Sequence, residues 1–208
     1  MAYNLHGEPI QDCLEVMQWC RAFLSDFHSQ EEGVDQPIVL PGNVRSVWRP
    51  PDIDCYKINC DAAMDSVGGR IGFGVVIRDH LGFVLASCSQ VMAASFGAAM
   101  AETMAIYRGL LFSRDCGLGP CHLESDAVVI VKRINEGSHL DSESEGILAE
   151  ISSRLSNLKV RSVNHVPRLA NCVAHGLAKF ALKVVDDLFW MEDYPPCVRK
   201  AVLLDMPR

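Results

Sequence analysis

The sequence predicts an α/β domain built on one mixed sheet with helices on both faces. Three observations predict it. Between Tyr56 and Cys88, three apolar or alternating runs separated by turn residues read as an antiparallel meander. Downstream, short strand-like segments alternate with segments of helical spacing, which implies crossovers and parallel pairing. The length of 208 residues, 49% of them hydrophobic, suits one domain of ordinary size with extensions.

The elements follow in order. Leu14, Met17, Phe23, Leu24 and Phe27 recur at helical spacing, so residues 1–28 are predicted to hold an amphipathic helix. Residues 29–53 contain Gly33, Pro37, Pro41 and Gly42 and read as a linker, closed by the stiff run Trp48-Arg49-Pro50-Pro51. The compact domain is predicted over 54–186. Its first strand is Tyr56–Asp61, with Tyr56, Ile58 and Cys60 on one face. A turn at 65–70 leads to a strand over Ile71–Arg78. Asp79-His80-Leu81-Gly82 is the next turn, and Phe83–Cys88 the returning strand. A helix rich in Ala, Met and Leu spans Ala98–Cys116 and stops at Gly117. Cys121–Glu124 is a fourth strand, and Ala127–Asn135 a helix ended by Gly137. After an acidic, turn-like stretch come a helix over Ile147–Leu158 and a fifth strand over Val160–His165. A last helix spans Ala170–Val185, with Val173, Leu177 and Phe180 along one stripe. Residues 187–208 form a C-terminal extension.

Composition narrows the classes of function. Nine scattered cysteines without a C-x-x-C pair argue against a zinc ribbon or a disulfide framework, and for a reducing, intracellular setting, nuclear or cytosolic. No apolar run reaches the ~18 residues of a membrane-spanning helix. The N-terminus lacks a basic segment followed by an apolar one, so no secretory signal is expected. Neither a membrane partner nor an organic cofactor is expected. The formal charge of −7 opposes non-specific binding to nucleic acid, so a nucleic-acid enzyme of this balance needs metal ions or a local basic patch.

The chemistry is carried by acids at the ends of elements. Asp61 ends the first strand, and Ala62 and Ala63 leave its carboxylate uncrowded. Glu102 lies early in the long helix, with Ala105, Ile106 and Gly109 on its side; the helix dipole alone also favours a Glu there. Asp126 follows the fourth strand, where it can cap the next helix, bind a cation, or both. His165 ends the fifth strand. His175 lies on the last helix, off its apolar stripe. Clustered acids repel one another unless cations sit among them, and carboxylate oxygens suit Mg²⁺ and Mn²⁺.

These residues sit within the runs Lys57-Ile-Asn-Cys-Asp61-Ala-Ala, Gly72-Phe-Gly-Val-Val-Ile-Arg78-Asp79, Ala101-Glu102, Glu124-Ser-Asp126 and His165-Val-Pro-Arg168-Leu-Ala-Asn171-Cys-Val-Ala-His175-Gly-Leu-Ala-Lys179. Through them the chain resembles the ribonuclease H family over about residues 48–200, and more narrowly the ribonuclease H-like domains of plant non-LTR retroelement reverse transcriptases. Trp48-x-Pro50-Pro51 and Phe189-Trp190…Tyr194-Pro195-Pro196 fit that subgroup. The resemblance implies a five-stranded ribonuclease H-like sheet and endonucleolytic cleavage of the RNA strand of RNA/DNA hybrids. It implies two Mg²⁺ or Mn²⁺ ions held by Asp61, Glu102 and Asp126. The family's fourth acid is replaced by His175, which would be a ligand of lower charge favouring Mn²⁺. His165 matches the family's mobile histidine. The basic protrusion that grips substrate in the family has no counterpart: the matching stretch carries Asp141, Glu143 and Glu145.

Other readings remain at this level. One is a weakly active or inactive domain of the same fold that binds nucleic acid or protein as a retroelement remnant. A related 3′–5′ exonuclease would need a second acid on the first strand, where Ala63 stands. A module that self-associates through the N-terminal helix is the third.

Overall fold

The computed structural model describes residues 47–137 and 144–207. The predicted N-terminal helix, residues 29–46 of the linker and residues 138–143 of the acidic stretch lie outside the described residues.

The described residues form β1 (Tyr56–Asp65), β2 (Arg70–Arg78), β3 (Val84–Ala93), α1 (Ala98–Asp115), β4 (Cys121–Ser125), α2 (Val128–Glu136), α3 (Glu145–Asn157), β5 (Val160–His165), α4 (Cys172–Ala181), β6 (Leu188–Met191) and α5 (Arg199–Asp205). One sheet runs in the order β5-β4-β1-β2-β3-β6. The meander β1-β2-β3 is antiparallel, β4 joins β1 in parallel, and β5 joins β4 in parallel. Gly82 (φ 86°) and Gly137 (φ 60°) hold the left-handed conformations that the turn after β2 and the end of α2 require.

Three expectations need correction. The sheet has six strands rather than five. Leu188-Phe-Trp-Met is too short to show a period, and it becomes a strand by pairing with the open edge of β3. Its residues then alternate: Phe189 reaches Phe112 of α1 on one face (centroids 5.8 Å apart), and Trp190 reaches Phe180 of α4 on the other (6.2 Å). The last helix is also shorter than the predicted Ala170–Val185, although its apolar stripe from Val173 to Phe180 is helical throughout. A 3₁₀ turn at Arg168–Asn171 precedes it, and it stops at Ala181. Just past that end, the Arg70 guanidinium donates to the carbonyls of Leu182 and Val184. Finally, β1 runs four residues past Asp61, so that this acid lies within the strand.

The two faces are packed differently. Ile71, Phe73, Val75 and Ile77 of β2 point into a core shared with α1, α2 and α3. On the other face Val76 meets Val173, Leu177 and Phe180 of α4, with Trp190 and Val202 behind them. Glycine at 72 and 74 lets α4 rest its backbone directly on the sheet. A Cβ at Gly74 would lie 2.1 Å from the Ala174 carbonyl oxygen, and one at Gly72 would lie 2.2 Å from that of Ala178. Gly74 is also the partner of Asp61 across β1 and β2, so this close approach brings α4 down over that acid.

Candidate functional site

Strand register places the first two acids side by side. β1 and β4 run in parallel with Asn59 opposite Glu124, so Asp61 and Asp126 each lie two residues farther along. Glu102 arrives from the second turn of α1, whose small residues Ala101 and Ala105 are buried against the core. Each of the three offers a carboxylate oxygen, and these oxygens lie within 4.8 Å of one another. No other such group of acidic, histidine or cysteine side chains occurs among the described residues.

The electrostatics of the cluster are strained. Asp61 is fully buried, and its Oδ1 has no hydrogen-bond partner. Glu102 Oε2 is likewise buried without one. Burial raises the Asp61 carboxyl above its ordinary range, although His175 opposes the shift through a hydrogen bond and its charge. Burial, followed by the negative charges of Asp61 and Asp126, pushes Glu102 up to about 8. Burial acts in the same sense on Asp126, but hydrogen bonds and charge from Arg168, with a further bond from Asn171, hold it below the usual carboxylate range. Two buried oxygens without a hydrogen bond, in a cluster of three carboxylates, are a donor set suited to a hard divalent cation, so the residues present fit the metal that the resemblance implies.

The remaining residues surround these acids. His175 Nδ1 lies 2.7 Å from Asp61 Oδ2; while Asp61 is ionised, the imidazole N–H is the donor. His175 therefore meets Asp61 rather than joining the three converging oxygens. His165 ends β5 opposite Ser125, exposed at the same end of the sheet, and makes no hydrogen bond to the acids. Asp126 does not cap α2. Ala127 takes the cap position, and the Asp126 carboxylate turns toward α4 instead, accepting from Arg168 (3.0 Å) and from Asn171 Nδ2 (3.0 Å). These cationic and amide partners outcompete the helix terminus.

Arg168 and Asn171 had no role assigned from sequence. Asn171 Nδ2 also donates to the Cys60 carbonyl (3.0 Å), which ties the start of α4 to β1. Their one signal was position: both lie between His165 and His175 in the run that carries the resemblance. Beside the acids opens a cleft of about 350 Å³ whose lining includes Ala62, Ala63, Glu102, Arg168, His175 and Lys179.

A pH dependence follows from Glu102. Its folded pKa of about 8 lies above the ordinary value of 4.5, so the folded state binds more protons than the unfolded one between those limits. Without divalent ions, thermal stability is expected to fall as pH rises from about 5 to about 8. Glu102→Gln should flatten that slope in calorimetric melts. An equal slope in the variant would refute the assignment.

A model of the reverse transcriptase-like family matches residues 59–181. Several solved structures share the fold. Ribonuclease H1 of the halophilic archaeon Halobacterium salinarum is 22% identical with a TM-score of 0.53, over 62% of this chain and 98% of that one. LC11 ribonuclease H1, whose source is compost, was solved in complex with an RNA/DNA hybrid; it is 22% identical with a TM-score of 0.56, over 62% and 96%. LC9 ribonuclease H1, a type 1 enzyme with the type 2 active-site motif, is 12% identical with a TM-score of 0.54, over 76% and 87%. No curated protein sequence matched.

Proposed function

The chain belongs to the reverse transcriptase-like family and has the ribonuclease H fold, and from this premise we propose that it hydrolyses the RNA strand of RNA/DNA hybrids endonucleolytically. The observation that carries this reading is the convergence of Asp61, Glu102 and Asp126, with two of their buried oxygens lacking any hydrogen-bond partner.

Asp61, Glu102 and Asp126 would hold two Mg²⁺ or Mn²⁺ ions, with His175 at the edge of the second site. Bound there, the ions supply positive charge that activates a water and stabilises the departing 3′ oxygen. The chain's own groups prepare that chemistry. Asp61, deepest of the three, is oriented by His175 through Oδ2, which leaves Oδ1 without a hydrogen bond. Asp126 is held ionised by Arg168 and Asn171 and needs no deprotonation before ligating. Glu102 gives up a proton on ligation, so ion binding is coupled to proton release. His165, exposed opposite Ser125, would be the mobile histidine that the resemblance implies. Lys179 and Arg168 give the cleft a local positive lining within a chain of net charge −7.

The test is incubation of a labelled RNA/DNA hybrid with the protein in Mg²⁺ and then in Mn²⁺. Cleavage of the RNA strand is expected in Mn²⁺ at least. Folded protein that cleaves in neither ion would overturn the proposal. It would favour the second reading, a binding domain with a defective centre, which His175 in place of the fourth acid supports. His175→Asp is expected to raise the Mg²⁺-dependent rate by about tenfold, the scale on which an added or removed partner shifts a metal site. No gain would count against a weakened second ion site.

A further inference from the structure

Arg168 projects into the acid cluster. Its Nη1 lies 3.0 Å from Asp126 Oδ2 and 3.8 Å from Asp61 Oδ1. Its Nη2 lies 2.8 and 2.9 Å from the two ring nitrogens of His175. We propose that Arg168 is a tethered cation that competes with divalent ions for these acids, sets the site's ion affinity, and is displaced when an ion binds. The inference rests on the metal-dependent reading above and adds a device that governs it.

Three features support displacement. The lone pairs are shared: Asn171 bonds one oxygen of Asp126 and Arg168 the other, so an ion reaching Asp126 meets a positively charged competitor. The attachment is also loose. The guanidinium makes one short contact and one long one to two different carboxylates, rather than a bidentate pair with either. Its side chain is 55% exposed, so solvent weakens these contacts and those to His175 relative to a buried pair. The chain also contains a counter-example. Arg78 is 1% exposed, bonded to Asp205 and Asn59 and stacked on Trp48, and has no route outward. Finally, Arg168 lines the cleft together with Lys179, so a swing of its long stem delivers the charge to where a phosphate would lie. The same residue would then neutralise the acids before ion binding and meet the substrate backbone after it.

The test is Mn²⁺ binding by titration calorimetry, followed by melts with and without Mn²⁺, on the wild-type chain, Arg168→Gln and Arg168→Lys. Arg168→Gln is expected to bind Mn²⁺ about tenfold more tightly, equivalent to about 1.4 kcal/mol. It should melt lower without ions and gain more in Tm on adding Mn²⁺. Arg168→Lys, which keeps the charge, should stay close to wild type. Equal or weaker Mn²⁺ binding by Arg168→Gln, in a wild-type chain that does bind, would overturn this inference and leave the metal-dependent reading standing. If neither chain binds Mn²⁺, both fall. Should Arg168→Gln fail to fold, Mg²⁺ titration of the wild type followed by NMR decides: the Arg168 side-chain signal must shift on ion binding, and a stationary signal refutes displacement.

Discussion

Asp61→Asn is expected to abolish cleavage of an RNA/DNA hybrid while leaving the fold intact. Asp61 is the most deeply buried of the three acids, and its Oδ1 lacks a hydrogen-bond partner, so its charge is the one most dependent on a cation. An amide at this position still offers an oxygen to His175 Nδ1, 2.7 Å away in the wild type, and preserves the shape of the site. It removes the negative charge that would draw the ions. Losing several kcal/mol of transition-state stabilisation corresponds to at least about a thousandfold in rate. The unfolding transition without divalent ions should change little, because the amide avoids the cost of a buried carboxylate. Rate and melting measured on one preparation separate the two effects. A variant that cleaves at more than a tenth of the wild-type rate would remove Asp61 from the chemistry.

The second large effect concerns stability. Arg78 and Asp205 form a buried pair, Nη1 to Oδ2 at 2.7 Å, that binds the C-terminal helix α5 to the end of β2. Burial pushes the Arg78 guanidinium down from its ordinary value and the Asp205 carboxyl up, even though each group favours the charged form of the other. Asp205→Ala strands a guanidinium in the interior and is expected to cost about 3–5 kcal/mol. For a domain of this size that is a drop of roughly 10 °C in Tm. Replacing both, as Arg78→Met with Asp205→Leu, should recover most of the loss, because neither charge is then left buried alone. A double variant no more stable than Asp205→Ala would show that the damage comes from lost packing on Trp48, whose ring lies 3.6 Å from the Arg78 guanidinium carbon.

The pair also reaches the site. Asn59 Oδ1 accepts from Arg78 (2.9 Å) and from Trp48 Nε1 (3.0 Å). Its Nδ2 donates to Glu124 (3.0 Å) and to Asn171 Oδ1 (3.3 Å), and Asn171 in turn donates to Asp126. A continuous run of buried polar groups therefore connects Trp48 and the C-terminal helix with one of the three acids. Lys57, paired with Glu124 at 2.8 Å, completes it. Asn59, Arg78 and Asn171 each lie in runs that read as strand or helix from sequence, and nothing in their local pattern shows that they bond to one another.

What the sequence determined by itself was local. Alternation and glycine placement located five strands and the helices between them within about five residues, the third strand running on from the predicted Cys88 to Ala93, because period and turn chemistry are properties of neighbouring residues. The acids at 61, 102 and 126 were legible as acids near the ends of strands and the start of a helix, and their resemblance to a family marked them as a set. Only the tertiary structure decided what depends on distant chain segments meeting. It made Leu188–Met191 a sixth strand, because an open edge of β3 awaited it. It turned Asp126 from a helix cap into a partner of Arg168 and Asn171, because α4 descends on Gly72 and Gly74. It set an arginine among the acids, where charge attraction across more than forty residues of chain outweighs any local preference.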